Sequence, residues 1–193
     1  MMHPSDNAFP GLYPQLATAS WPELDESVRR LHSAGEIVQA SGIFRVRHGQ
    51  NPLARWLAWL AGLPLAGEAV NVRLTVIPTR GGEQWRRSFA GRALASFQLK
   101  GPDGLLAEQM GPLEMWFRLE ISRVALIYHP RGAALRLGPL RLALPRWLAP
   151  RVCACEKPAR DRDGVHTFVE VSVPLLGLVL AYEGTVTRAE AQQ

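Results

Sequence analysis

The run Val70-Asn71-Val72-Arg73-Leu74-Thr75-Val76 alternates apolar and polar residues, and past Gly81-Gly82 the run Gln84-Trp85-Arg86-Arg87-Ser88-Phe89 does so again. A period of two puts every second side chain on one face of a strand, and paired glycines suit the reversal between two strands. Together the runs predict an antiparallel hairpin. The same pattern continues down the chain. Turn signals recur at Gly101-Pro102-Asp103-Gly104, Pro130-Arg131-Gly132, Gly138-Pro139 and Asp163-Gly164. Strand candidates lie at 84–90, 92–99, 105–110, 113–121, 123–129, 133–137, 140–144, 151–157, 165–173 and 178–187. So many short strands joined by reversals indicate one large antiparallel sheet, bent into a barrel or half-barrel.

Upstream of Ala69 the pattern differs. Ser20 and Glu23 have capping-box spacing, and Leu24, Val28 and Leu31 share a helical face, which predicts a helix from about Trp21 to His32. Residues 36–48 read as a strand, with Val38, Ala40, Phe44 and Val46 on one side. A second helix has Asn51 as its cap, Pro52 in its first turn and Gly62 or Pro64 as its stop. Its Leu53, Trp56, Leu57 and Leu60 have the i, i+3, i+4, i+7 spacing of a buried face. This spacing predicts a helix that plugs one barrel end, with Trp56 and Trp59 over the mouth. A membrane-surface helix flanked by Arg47 and Arg55 is the competing reading, but the strongly charged polar face is missing.

The fold class is therefore α+β: a large curved antiparallel sheet, barrel-like or half-barrel, with N-terminal helices and room for a lipocalin-like cavity. The expected organisation is a flexible leader at 1–10, one domain over 11–187 and a tail at 188–193.

At 193 residues the chain can bury a core without staples, and 47% apolar with 20% charged residues excludes a disordered chain. The charge is +5, yet the arginines are dispersed and no basic run tracks a phosphate backbone, which argues against nucleic acid. No segment supplies the ~20 apolar residues of a membrane-spanning helix. Met1 to Asn7 lack the basic-then-apolar order of a signal peptide, so a cytoplasmic protein with reduced thiols is expected. Cys153 and Cys155 stand i, i+2 on a strand, a strained disulfide at best and two zinc ligands of four, so both are expected to be small packing residues. No GxGxxG, P-loop, HExxH or GxSxG motif is present. No metal, cofactor or catalytic residue is assigned.

The informative residues are charges that share a face with apolar neighbours. Arg87 falls with Trp85 and Phe89, Glu108 with Leu106 and Met110, and Glu156 with Val152 and Ala154. Isolated buried charges are costly, so these three are expected in one polar cluster on the concave face. His166 and Tyr182 are candidates to join it. The apolar wall around them is expected from Trp85, Phe89, Leu106, Met110, Met115 and Phe117. Such a cluster either fixes strand register or forms the polar floor of an apolar cavity.

The segments Glu83-Gln84-Trp85-Arg86-Arg87-Ser88-Phe89-Ala90-Gly91-Arg92 and Glu108-Gln109-Met110-Gly111-Pro112-Leu113 resemble the middle of the bacterial domain of unknown function family 4166. Leu144-Pro145-Arg146-Trp147-Leu148-Ala149-Pro150-Arg151 with Glu156 is similar to its later segment. Pro174-Leu175-Leu176-Gly177-Leu178 with Tyr182-Glu183-Gly184 is similar to its end. The resemblance covers about residues 11–187. It implies no activity, and it points to Arg87, Arg92, Glu108, Glu156 and Tyr182 as recurrent polar positions. Family members also form the C-terminal part of dehydrogenase-like chains.

The expected function is a non-catalytic binding module for a hydrophobic or amphipathic, lipid-like small molecule. Its ligand-binding residues are expected to be Trp85, Arg87, Phe89, Arg92, Glu108, Glu156 and Tyr182. The alternatives are an enzyme using the Arg/Glu cluster, with His166 or Tyr182, or an accessory domain docking on a dehydrogenase-like partner. Peripheral membrane contact is not favoured by the sequence.

Overall fold

A computed structural model of the chain describes residues 11–32, 35–160 and 164–189. The expected leader at 1–10 and residues 190–193 of the expected tail lie outside these, as does Asp163 of the last expected turn.

Among the described residues, eleven strands form one sheet. They are β1 (Val38–His48), β2 (Gly67–Thr79), β3 (Gly82–Phe89), β4 (Arg92–Lys100), β5 (Leu106–Met110), β6 (Leu113–Ser122), β7 (Ala125–Leu137), β8 (Leu140–Ala143), β9 (Arg151–Pro158), β10 (Gly164–Val173) and β11 (Gly177–Arg188). All pairings are antiparallel. The order runs β6-β5-β4-β3-β2-β1-β11-β10-β9-β7, and β6 pairs with β7, so ten strands close into a barrel. Closure gives each of those ten strands a paired neighbour on both sides. β8 stands outside the circle as an arm on the far end of β7. The alternation read from sequence is the physical basis of this shape: Val72, Leu74 and Val76 on β2 and Val38, Ala40, Phe44 and Val46 on β1 are buried inside.

The two expected strands 123–129 and 133–137 are one continuous strand, β7. Pro130-Arg131-Gly132 is a bulge rather than a turn, because Phe117 pairs with Pro130 and Trp116 with Gly132, leaving Arg131 extra. On its other side β7 pairs with β9 only through Tyr128 and with β8 only from Ala134. Pro130 sits in that gap, where a missing N–H costs no ladder bond.

The N-terminal residues seal one barrel end. Helix α1 (Leu12–Ala17) leads through a 3-10 turn (Thr18–Glu23) into helix α2 (Glu26–Leu31). The expected single helix is thus broken: Leu24 is extended, and Asp25 rather than Ser20 caps α2, accepting from the Ser27 N–H at 2.9 Å. Tyr13, Leu24, Val28, Leu31 and His32 are buried under these turns. Each buried aliphatic side chain contributes about 1.5–3 kcal/mol to holding the plug in place.

Helix α3 (Pro52–Leu60) lies at the opposite end, with Asn51 accepting from the Leu53 N–H at 2.9 Å as its spacing predicts. Its buried face differs from the expected one. Ala54 and Ala58 are fully buried, while Leu53, Trp56, Trp59 and Leu60 are 58–67% exposed. The helix is rotated by about one residue, ~100°, from the expected orientation. Two alanines one turn apart let it lie close on β1 and β11, which bulky Trp56 would prevent. It therefore flanks the mouth instead of plugging it.

Candidate functional site

Inside the barrel is a cavity of about 870 Å³. It runs from Trp85, Gln98 and Glu156 near the plug to Leu60, Leu144 and Leu148 at the other end. Leu60 and Leu148 line it and are themselves exposed, so the cavity reaches the surface at the α3 end. The wall is aliphatic and aromatic, including Phe44, Phe89, Met110, Met115, Phe117, Val171 and Leu180. Leu106, expected on this wall, is fully buried beneath it in the packed core.

Polar groups are confined to two places. The first joins three neighbouring strands, β3, β4 and β5. Arg87 Nη1 donates to Ser96 Oγ at 3.0 Å, and Ser96 Oγ donates to Glu108 Oε1 at 2.5 Å. Arg87 Nη2 stands 3.6 Å from Glu108 Oε1, and the guanidinium lies 4.9 Å from the Trp85 ring centre. Burial opposes the Arg87 charge, but Tyr182, where alkali ionises it, and the Glu108 carboxylate outweigh burial and raise its pKa. The pair is 16–17% exposed, enough to meet a molecule in the cavity. Tyr182 projects from β11 into the same space, between Phe44 and Phe89. Burial pushes its pKa up to about 12, with Arg87 pulling the other way, so it is a neutral hydroxyl at neutral pH. That hydroxyl makes no hydrogen bond to the described residues and lines the cavity.

The second place is deeper. His32 Nε2 lies 2.5 Å from Glu156 Oε2, and the His32 ring packs tilted against Tyr13 at 3.8 Å between centroids. Tyr13 donates its single hydroxyl proton to Gln98 Oε1 at 2.6 Å, so Tyr128, 3.1 Å away, donates to Tyr13. Burial raises both tyrosine pKa values well above the ordinary range, and the Glu156 charge adds to it. Both remain uncharged hydrogen-bonding groups.

The structure brings six of the seven sequence-assigned residues to the cavity: Trp85, Arg87, Phe89, Glu108, Glu156 and Tyr182. Arg92 does not line it. Its Nε donates to the Gly62 carbonyl at 3.1 Å, tying β4 to the end of α3, where helix carbonyls lack intrahelical partners. Glu156 is inside but outside the Arg87–Glu108 pair, because α2 delivers His32 to it from the plug. His166 does not join the cluster. On β10, Thr167, Val169 and Val171 face inward, so His166 faces out, with Nδ1 3.4 Å from Thr185 Oγ1. Cys153 and Cys155 sit on the outer face of β9, and Cys153 is exposed rather than packed. Its neighbours Val152 and Ala154 take the inward positions.

Sequence reasoning missed Tyr13, His32, Gln98 and Tyr128. Gln98 was legible, since it shares parity with Leu94 on β4. The others come from the plug and a strand read without its bulge.

Among known proteins the likeness is at family level. No curated protein matches the chain. A protein of unknown function of the DUF3598 family, from Nostoc punctiforme, is similar in structure at 11% identity and TM-score 0.40, over 79% of this chain. The chain spans about half that protein, 46% of its length. The family described as a domain of unknown function, DUF4166, matches residues 24–186. That match runs from Leu24 in the plug through every barrel strand to Val186 on β11, and the chain belongs to the DUF4166 family.

Proposed function

We propose that this protein binds a hydrophobic or amphipathic small molecule inside the barrel. The observation that carries the reading is the cavity itself: about 870 Å³, walled by apolar side chains, with polar groups in two places away from the mouth. This is the size and composition of sites that enclose a molecule with a greasy body and one polar end. The polar end meets the Tyr182 hydroxyl and the Arg87–Glu108 pair, and the apolar body lies toward the mouth. Catalysis is the weaker reading, because both carboxylates near the cavity floor are already engaged, Glu108 by Ser96 and Arg87, and Glu156 by His32.

The test uses delipidated protein and cis-parinaric acid, a polyene fatty acid that fluoresces in apolar surroundings. Saturable binding in the micromolar range, about −8 kcal/mol, is expected. Native mass spectrometry before delipidation is expected to show a co-purified small molecule. No saturable binding of this probe or of neutral apolar probes would overturn the reading.

A further inference from the structure

We infer that the open end of the barrel docks on anionic lipid bilayers, and that the cavity exchanges its ligand with them. The exchange rests on the binding reading above, whereas the docking stands on separate observations.

The first is the placement of exposed apolar side chains. The connections at the open end are 49–66 with α3, 90–91, 111–112, 138–150 with β8, and 174–176. Trp56, Trp59, Leu65, Leu140, Trp147 and Leu175, all exposed, come from these connections. Six large exposed apolar side chains, three of them tryptophans, on the connections of one barrel end exceed what scattered surface leucines explain. Tryptophan is the side chain suited to the bilayer interface, having an apolar body and a polar N–H.

The second is charge. The same connections contain Arg55, Arg141 and Arg146 and no aspartate or glutamate. Arg141 is bound to Glu114 and Glu68, at the start of β2, is bound to Arg45, but Arg55 and Arg146, with Arg47 and Arg151 at adjoining strand ends, make no ion pair among the described residues. At the closed end the signs are mixed, with Glu23, Asp25, Glu26, Glu36 and Asp103 beside Arg29, Arg30, Arg80, Arg123 and Arg160 among the described residues of the plug and connections. Exposed apolar side chains together with unpaired arginines at one end complement an anionic lipid surface, where each cation near the headgroups adds attraction.

The third is continuity. Leu60 and Leu148 belong both to the exposed rim and to the cavity wall. An apolar molecule leaving a bilayer reaches the cavity along them without crossing water.

The experiment is co-flotation of the protein with phosphatidylcholine vesicles and with vesicles containing about one third phosphatidylglycerol. Binding to the anionic vesicles is expected, at least tenfold stronger than to the neutral ones. The double variant Trp56→Ala/Trp59→Ala, whose side chains are mostly exposed and lie outside the hydrophobic core, is expected to lose at least tenfold in vesicle affinity. Arg55→Glu/Arg146→Glu is expected to abolish the preference for anionic lipid. Cis-parinaric acid uptake by both variants is the control and stays unchanged. Uptake without vesicle binding overturns the docking alone, and vesicle binding without uptake overturns the cavity reading alone. A dimer in solution that Trp56→Ala/Trp59→Ala dissociates would assign the rim to a second copy of the chain and overturn the proposal.

Discussion

His32 Nε2 and Glu156 Oε2 are 2.5 Å apart across 124 residues of sequence, and both side chains are almost wholly withdrawn from solvent. One comes from the end of α2 and the other from β9, so this contact fastens the plug to the barrel wall. Tyr13 packs against His32 and reaches Gln98 on β4, fastening the plug to the opposite wall. The closed end of the cavity thus depends on polar contacts made by the first described residues of the chain.

His32→Ala is expected to destabilise the fold by about 3–5 kcal/mol, because Glu156 is left as a buried carboxylate without its partner. Glu156→Gln, which keeps the shape and a hydrogen-bonding group, is expected to cost less. Urea unfolding measures both. Limited proteolysis near residues 11–32 is expected to accelerate in His32→Ala. Equal stability of His32→Ala and wild type would show that the contact does not hold the plug.

The Arg87–Ser96–Glu108 chain makes opposite predictions for its two ends. Arg87→Ala removes the only cation that lines the cavity among the described residues and is expected to weaken cis-parinarate binding about tenfold, ~1.4 kcal/mol. Glu108→Gln releases the guanidinium from its carboxylate and is expected to strengthen the same binding. A neutral apolar probe is expected to respond less to either change. Fluorescence titration of the three proteins reads all of this, and a loss in both variants would place the fatty-acid carboxylate elsewhere.

Those two residues were legible because strand parity is local. Arg87 two residues from Trp85 and from Phe89 has to face the way they do, and Glu108 likewise follows Met110. The closed barrel was similarly legible, since repeated alternation with frequent turns leaves few other shapes. The plug was not. Tyr13, His32 and Glu156 meet through tertiary packing, and nothing within several residues of any of them marks the partner. The α3 face was misread for a different reason. Leucine and tryptophan spacing marks the apolar side of a helix, but the close approach to β1 and β11 selects alanines, and the larger side chains are left at the surface. Pro130-Arg131-Gly132 was misread because proline tolerance in a strand depends on where the neighbouring strands end.

Glu83 predicts a pH dependence. It is buried at the closed end, accepting from the Trp85 indole N–H at 3.2 Å. Burial raises its pKa, with His32, the Trp85 N–H and the Leu12 backbone N–H pulling it partly back. A carboxyl with a raised folded pKa contributes its full stability below its ordinary value of about 4.3 and loses it as pH rises through the folded value. Glu83→Gln keeps an acceptor for Trp85 and never ionises. Its stability advantage over wild type is therefore expected to grow from acid pH upward and level off above the raised pKa. Chemical denaturation across that range measures the difference, and a pH-independent difference would assign Glu83 an ordinary pKa.

Gly42 predicts how tightly the barrel is drawn between β1 and β11. It lies opposite Val186 on the inward face of β1, and a Cβ there would stand 1.9 Å from the Thr185 carbonyl oxygen. Both backbones are held in ladders on each side, β1 by β2 and β11 by β10, so neither yields without breaking strand pairs. A glycine inside a strand marks such a close approach. Gly42→Ala is expected to cost at least the ~1–3 kcal/mol typical of overpacking. Ser41→Ala, one residue away on the exposed outer face, is expected to stay within about 0.5 kcal/mol of wild type. Because the displaced strands frame the cavity beside Phe44 and Tyr182, Gly42→Ala is also expected to weaken cis-parinarate binding, while Ser41→Ala leaves it unchanged. Thermal melts with probe titrations on both variants check the pair, and a Gly42→Ala protein as stable as Ser41→Ala would show that the strands have room to part.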